Sequence, residues 1–242
     1  LRSKINLDRT LKLTSDFDLH PALKTFKNLW NQNQSAAVHA TNIPYTGRSH
    51  FDGQNLMESG GKIPYQEKTG WLGRGMKIAG MTGNGLALAL PMPLLIRGVP
   101  MNNNYFPVGH KLPYPSTLKM IQEAYKEYDE KLLSENLEII QTREFSNTAY
   151  DSSWVLASNA ANELSKPDGP RVVVFEVDGF DTHAAQGATN GAHADCLSDY
   201  DNIIKSLKSS MSKEAFDNTL ILTLTEFGRT IKQNSSNGTE HG

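Results

Sequence analysis

Carboxylates and imidazoles stand just after apolar runs in the second half of the chain. Asp181 and His183, two residues apart, come directly after the run "RVVVFEVDGF" at residues 171–180. Glu226 is the last residue of the run "LILTLTE". Side chains two residues apart share a face in an extended segment, so Asp181 and His183 could reach one ion. Carboxylate oxygens with imidazole nitrogens are typical ligands of Zn, Mn or Fe. The spacing therefore predicts a metal site, with a capped turn that carries a surface histidine as the alternative.

A second polar group, Arg48, Ser49 and His50, follows the short apolar run "SAAVHA". Ser49 and Asp52 have the form S-x-x-D, a variant of the capping box, which predicts that a helix begins at Ser49. A serine at a helix N-terminus is also placed as a nucleophile, because the helix dipole and free N–H groups favour an oxyanion and a bound phosphate or sulfate. Ser49 is therefore a candidate cap and a candidate catalytic residue.

Three basic side chains near these groups are candidates for binding an anionic substrate. Arg48 and Arg229 could contact its oxygens in bidentate fashion, although each alone is more often a structural ion pair. His50 is grouped with them because it follows Ser49 directly.

Strands of one sheet would bring these groups together. Buried strands are predicted at residues 36–40, 171–177 and 219–225, and each is followed by polar residues. Ligands bind outside the carboxyl ends of the strands in open α/β sheets, so parallel strands would gather the groups at one edge. The order strand, helix, strand over the last two of these runs, with the helix at 193–211, predicts a βαβ unit.

Further elements follow from periodicity and from turn residues. Apolar spacing, together with the glycines and prolines between elements, predicts helical segments and one further strand. The predicted helices are 19–30 with Pro21 in its first turn, Ser49 to about Gly60, 72–78, 116–145 and 147–164; the further strand is 86–90.

The composition is ordinary for a globular protein. The 242 residues, 38% hydrophobic and 21% charged, suit one α/β domain or two small ones. A net charge of −2 gives no reason to expect nucleic acid or an anionic membrane as a partner. The single cysteine, Cys196, allows no internal disulfide.

Prolines interrupt the most apolar stretch, 85–96, so no membrane span is expected. Without an initiator Met or signal peptide, both ends are expected to be cut from something longer.

Six motifs together resemble one bacterial family. They are "LHPALKTFKNLW", "RSHFDGQNLMESG", "TGWLGRGM", "GFDTHAAQG", "TEFGRT" and "GTEHG", in this order from about residue 11 to 242. The chain resembles domain-of-unknown-function family 1501, whose members are usually exported by the twin-arginine route. That family is placed in the superfamily of alkaline phosphatases and sulfatases.

The resemblance implies a fold, a cofactor and a location. The fold is α/β, with a three-layer, mostly parallel central sheet flanked by helices, as one alkaline-phosphatase-like domain over 1–242 truncated at both termini. The cofactor is a divalent metal (Zn, Mn or Ca), the substrate a small phosphate or sulfate ester, and the location periplasmic or otherwise exported. The residues that match the family motifs are Ser49 as nucleophile and, as metal ligands, Asp181, His183, Glu226 and His241.

Departures from the superfamily pattern keep other functions open. Related phosphatases commonly carry Asp-His where this chain has Glu226 and Phe227, and a further ligand is expected from a segment before the first residue. A metal-dependent ester hydrolase is the first hypothesis. A non-catalytic exported metal-binding or scaffold domain is the second, and a phosphomutase or transferase on the same fold is the third. Substrate, metal number and oligomeric state are left open.

Overall fold

A computed structural model describes residues 2–105, 114–127 and 153–242. The chain forms two compact units, Leu1–Tyr105 with Ser152–Gly242 and, separately, Phe106–Asp151. No helix within the described ranges is long and apolar enough to span a lipid bilayer.

In chain order the elements are β1 (Leu11–Lys12), β2 (Asp18–Leu19), α1 (Lys24–Asn31), α2 (His50–Ser59), α3 (Trp71–Ile78), β3 (Gly85–Leu88), a 3-10 helix (Leu94–Ile96), β4 (Asn103–Tyr105), α4 (Pro115–Glu127), α5 (Ser153–Leu164), β5 (Val172–Val174), α6 (Ala192–Ser210) and α7 (Lys213–Asp217).

A three-stranded parallel sheet lies at the centre of the first unit, in the order β4, β3, β5. Leu86 of the middle strand lies opposite Asn103 on one side and Val173 on the other. All four residues of β3 are buried, as expected for a strand covered on both faces. The predicted strand at 86–90 is thus confirmed near its predicted bounds. The one at 171–177 is confirmed over its first half.

Helices flank this sheet. Leu86 and Leu88 belong to a buried cluster with residues of α5 and α6, while Ala87, between them, belongs to a cluster with residues of α3 and the 3-10 helix. Neighbouring residues of a strand point to opposite faces, so the two clusters cover the two faces of β3. The chain is therefore mixed α/β. The main partners of β3 are Ala157, Ala160, Ala161, Ile203 and Leu207 in the first cluster and Met76, Ile96 and Val99 in the second.

Two of the three strands predicted for the site are wrong. Residues 36–40 and 219–225 lie in no strand of the described chain. Val38 is 78% exposed, and Leu220 and Leu222 are 85% and 58% exposed. Their apolar, β-branched composition fits a pleated surface, but a strand also needs a hydrogen-bonded neighbour, and none of the described residues supplies one. The βαβ prediction therefore fails after α6.

Helix α1 begins later than predicted, and Pro21 lies outside it. It starts at Lys24, because the carboxylate of Asp201 on α6 accepts the backbone N–H groups of Thr25 at 2.8 Å and Phe26 at 3.0 Å. These are donors that a helix N-terminus leaves unpaired. The cap comes from a residue far along the chain, so the local sequence could not reveal it.

The helices predicted at 116–145 and 147–164 are confirmed where the structure describes them. They correspond to Pro115–Glu127 and Ser153–Leu164. The remaining residues of both predictions, 128–152, lie outside the described residues.

Candidate metal centre

Helix α2 brings His50 to the site. The Ser49 hydroxyl oxygen accepts the backbone N–H of Asp52 at 3.4 Å, and the helix runs from His50 to Ser59. The predicted cap at Ser49 is confirmed. His50 is the first helical residue, and its ring lies between two carboxylates. Its Nε2 is 3.1 Å from Asp181 Oδ2, and its Nδ1 is 2.6 Å from Glu226 Oε1.

Asp181 is the common partner of three imidazoles. Its Oδ1 lies 2.8 Å from His183 Nε2 and 3.0 Å from His241 Nε2. The two Nε2 atoms of His183 and His241 are themselves 3.1 Å apart. His50 approaches the other carboxylate oxygen. The three rings therefore converge through their Nε2 atoms on one carboxylate.

Each of these rings has an acceptor on its other nitrogen. His50 Nδ1 contacts Glu226, His183 Nδ1 lies 3.0 Å from Glu240 Oε2, and His241 Nδ1 lies 3.1 Å from the carbonyl oxygen of Arg48. A carbonyl oxygen or an ionised carboxylate can only accept, so all three Nδ1 atoms carry their protons. With Nδ1 occupied in this way, Nε2 is the nitrogen on each ring that a metal ion would bind, in place of any proton that the ring donates to Asp181 in the metal-free protein.

Charge accumulates around Asp181. Its partial burial alone would raise its pKa, but hydrogen bonds from Arg229, His241 and His50 outweigh burial and lower the pKa to about 2. The hydrogen bond to Glu226 raises the pKa of His50 above 6.5, and burial opposes it only partly. The hydrogen bond from Asn234 lowers the pKa of Glu240. Ionisation of Asp181 and Glu240 is thus favoured, and so is protonation of His50 in the metal-free protein.

Each of the three guanidinium nitrogens of Arg229 donates one hydrogen bond to a protein group. Its Nη1 donates to Asp181 Oδ1 at 2.6 Å, its Nε donates to Thr239 Oγ1 at 3.0 Å, and its Nη2 donates to the Thr239 carbonyl. Thr239 is fully buried and donates in turn to Gln186. Arg229 therefore ties Asp181 to the segment that carries His241. Arg48, by contrast, is exposed.

Phe227 forms an aromatic wall of the site. Its ring stacks on His241 with centroids 4.4 Å apart and meets the His50 ring at 5.2 Å with an edge contact. The ring thus limits the orientations of two of the three imidazoles. Phe227 therefore packs against the rings of His50 and His241 and offers no ligand atom of its own.

The residues present fit a metal ion. His50, Asp181 and His241 each offer an atom within 4.8 Å of the others. Neighbouring ligand atoms around a tetrahedral zinc ion lie about 3.4 Å apart, given bonds of about 2.1 Å. The contacts of Asp181 with His50 and His241, at 3.1 and 3.0 Å, are close to this spacing. A small expansion would admit an ion, and His183 could serve as a fourth ligand.

The predicted site residues divide into two groups. The structure brings Asp181, His183 and His241 into direct contact, whereas Glu226 reaches them through His50. His50, predicted as a substrate-binding residue, lies in the centre of the cluster. Sequence reasoning missed the role of Glu240, although its position beside His241 in "GTEHG" was a usable signal.

Comparison with known families supports the resemblance over part of the chain. The family model described as "Protein of unknown function (DUF1501)" matches residues 129–242, just under half of the chain. This range includes Asp181, His183, Glu226 and His241 but not Ser49 or His50. Searches of curated proteins and of solved structures each found no match.

Proposed function

We propose that the whole chain is a member of this family and that it is a metal-dependent hydrolase of phosphate or sulfate esters. The observation that carries the proposal is the convergence of three imidazole Nε2 atoms on Asp181, each ring having its Nδ1 on an acceptor. The ligands would be His50, Asp181, His183 and His241. In this assignment Glu226 orients His50 instead of binding the ion.

The contact between His183 and His241 favours a cation at this point. Both rings carry the proton on Nδ1, so neutral rings would face each other with two lone pairs across 3.1 Å. Only a shared proton or a metal ion relieves that repulsion. A metal ion would satisfy both nitrogens and Asp181 together.

The donor set bears on which metal is bound. Three nitrogens and one carboxylate favour Zn or Fe, because imidazole suits these ions. Calcium takes oxygen ligands almost exclusively, so it fits this cluster less well.

Ser49 is the proposed nucleophile. It lies between Arg48, whose carbonyl contacts His241, and His50, whose ring contacts Asp181. Its oxygen accepts from the Asp52 N–H, which leaves its own proton free to be given up. The bound ion would supply Lewis acidity and lower the pKa of the attacking group.

In the proposed reaction the phosphoryl or sulfuryl group of the ester is transferred first to Ser49 and then to water. The Oγ atom forms a bond to phosphorus or sulfur while the bond to the alcohol oxygen breaks, and the serine proton passes through solvent to that leaving oxygen. Water then attacks the same phosphorus or sulfur atom, the bond to Oγ breaks, and a proton from this water returns to Ser49. Arg48, which is exposed, could hold the ester oxygens. Phe51, which follows His50 in α2, lines a groove with Tyr65 and Leu94, and this groove is the proposed place for the alcohol portion.

The experiment compares two serine caps. Zinc-loaded protein is assayed with p-nitrophenyl phosphate and p-nitrophenyl sulfate. Ser49→Ala should abolish turnover and lower the free energy of unfolding by about 1 kcal/mol, the cost of a lost cap. Ser49→Thr should keep partial activity. Ser212→Ala removes the matching cap of α7 and should cost similar stability without loss of turnover. If Ser49→Ala still hydrolyses the esters, Ser49 is only a helix cap, and water is the attacking group.

A second candidate function is a non-catalytic metal-binding domain. It is favoured by Arg229, because each of its three guanidinium nitrogens already donates to Asp181 or Thr239, which ties the side chain to the protein. This candidate predicts zinc binding by the wild type without turnover of either ester. The same assay therefore separates the two functions.

A further inference from the structure

We propose that Glu240, held in place by Asn234, is the positioning residue that fixes the ring orientation and tautomer of His183 for metal binding. The inference rests on the proposed metal centre, to which it adds a residue with a defined task. Glu240 Oε2 lies 3.0 Å from His183 Nδ1. A carboxylate on the outer nitrogen of a metal-binding histidine keeps the inner nitrogen free of a proton and raises its basicity.

Asn234 holds both partners of this contact. Its side-chain amide nitrogen donates to Glu240 Oε1 and, at 2.8 Å, to the backbone carbonyl of His183. Its side-chain oxygen accepts the backbone N–H groups of Ser236 at 3.0 Å and Gly238 at 2.9 Å. The amide group is therefore fixed by four contacts, and it sets the distance between Glu240 and the backbone of His183.

The backbone of Glu240 is fixed as well. Its N–H donates to Thr230 Oγ1 at 3.0 Å, and its carbonyl accepts the Thr230 N–H at 3.0 Å. The Glu240 side chain is nearly half exposed, so it would be mobile without these restraints. The restraints make it a rigid acceptor, which is what the orientation of His183 requires.

An amide in place of this carboxylate cannot keep both contacts. Glu240 uses one oxygen for Asn234 and the other for His183. In Glu240→Gln one of these atoms becomes an NH2 group. If it faces His183, Nδ1 must become the acceptor, and the proton moves to Nε2, where it blocks the metal. If it faces Asn234, two NH2 groups oppose each other and the restraint is lost.

The test measures zinc affinity and the tautomer of His183. Competition with a chromophoric chelator gives the Kd for Zn²⁺, and 15N NMR of the metal-free protein at fixed pH reports which nitrogen of His183 carries the proton. Glu240→Gln should weaken zinc binding by about 10- to 100-fold, the usual effect of losing such a partner. It should also move population from the Nδ1–H to the Nε2–H tautomer. Glu163→Gln is the matched control, because Glu163 lies on α5 and pairs with Lys166, and the Kd of this variant should equal that of the wild type.

The outcomes separate this inference from the proposed function. A Kd for Glu240→Gln within twofold of wild type, or an unchanged His183 tautomer, would overturn the role of Glu240 while leaving the metal centre intact. Absence of zinc binding by the wild type would overturn the metal centre and this inference together. Zinc binding without ester hydrolysis would remove the proposed activity but not the role of Glu240. Circular dichroism confirms that the variants are folded, and Glu240→Ala, which removes the acceptor outright, should weaken binding at least as much.

Discussion

His50 contacts Glu226 through one ring nitrogen and Asp181 through the other, and two carboxylates beside the ring favour its protonated form in the metal-free protein. The hydrogen bond with Glu226 raises the pKa of His50 above 6.5. Asp181 shows the opposite shift: hydrogen bonds that outweigh its burial lower its pKa from 3.8 to about 2. These two shifts make the stability of the metal-free protein depend on pH in opposite directions.

The pH dependence has a definite sign. Because the folded pKa of His50 is raised, its contribution is complete below pH 6.5 and is lost as the pH rises through the folded value. The contribution of Asp181 is present above pH 3.8 and is lost as the pH falls towards 2. Urea unfolding of the metal-free protein should therefore give a lower midpoint on the alkaline side of pH 6.5, and His50→Gln should flatten that decline. The same decline in wild type and variant would show that His50 carries no linked proton.

The identity of the polar residues could be predicted from sequence, but the division of roles could not. Asp181, His183, Glu226 and His241 all stand in motifs; the first two and His241 are in direct contact, and Glu226 is joined to Asp181 through His50. Whether Glu226 or His50 contacts Asp181 depends on where α2 enters the site and on which rotamers its neighbours allow. Residue types and their spacing specify neither the position of α2 nor these rotamers.

At the scale of elements, the segment from Arg229 to His241 holds the site together. Arg229 pairs with His241 in an isolated antiparallel bridge, and the Thr239 N–H donates to the Thr182 carbonyl at 3.3 Å. The segment approaches residues 182–183 closely at Gly238. A side chain at Gly238 would place its Cβ 2.3 Å from the carbonyl carbon and oxygen of His183.

Gly238→Ala should therefore separate this segment from His183. We expect a loss of about 1 to 3 kcal/mol in the free energy of unfolding, as for other overpacking substitutions, and weaker zinc binding. Urea denaturation and the zinc Kd measure the two effects. Gly75→Ala is the control, because nothing lies within 4 Å of its Cβ position in α3, and it should stabilise the protein by roughly 1 kcal/mol. Equal stability of Gly238→Ala and wild type would contradict the close approach.

The elements show what local sequence can and cannot specify. Ser49 caps α2 as its S-x-x-D pattern predicts, because the donor and acceptor are three residues apart. The start of α1 depends on Asp201, about 175 residues away, and so escaped prediction. Runs 36–40 and 219–225 have strand-like composition, yet strand formation depends on distant neighbours.

At the scale of the whole molecule, burial separates two similar apolar runs. Leu88 in β3 is 0% exposed and packs in the cluster with α5 and α6, whereas Leu222 is 58% exposed. The apolar composition of both runs predicts buried strands. Only the pairing of β3 with β4 and β5 distinguishes them, and that pairing joins segments up to about 90 residues apart.

Alanine substitutions at these two leucines test the placement of the core. Leu88→Ala should lower the free energy of unfolding by about 2 to 5 kcal/mol, because it leaves a cavity beside the sheet. Leu222→Ala should change it by no more than about 0.5 kcal/mol, as is usual for surface positions. Chemical denaturation gives both values. A large loss for Leu222→Ala would mean that 219–225 is buried in solution.

The central claim is that three imidazoles and Asp181 hold one divalent ion. X-ray absorption at the zinc edge, measured on protein loaded with one equivalent of Zn²⁺ and then desalted, tests it most directly. The proposed centre predicts retained zinc with nitrogen and oxygen ligands at about 2.0 to 2.2 Å and outer-shell scattering from three imidazole rings. His241→Ala should reduce that scattering to two rings. Loss of the zinc on desalting, or a spectrum with oxygen ligands and no imidazole scattering, would contradict the metal centre.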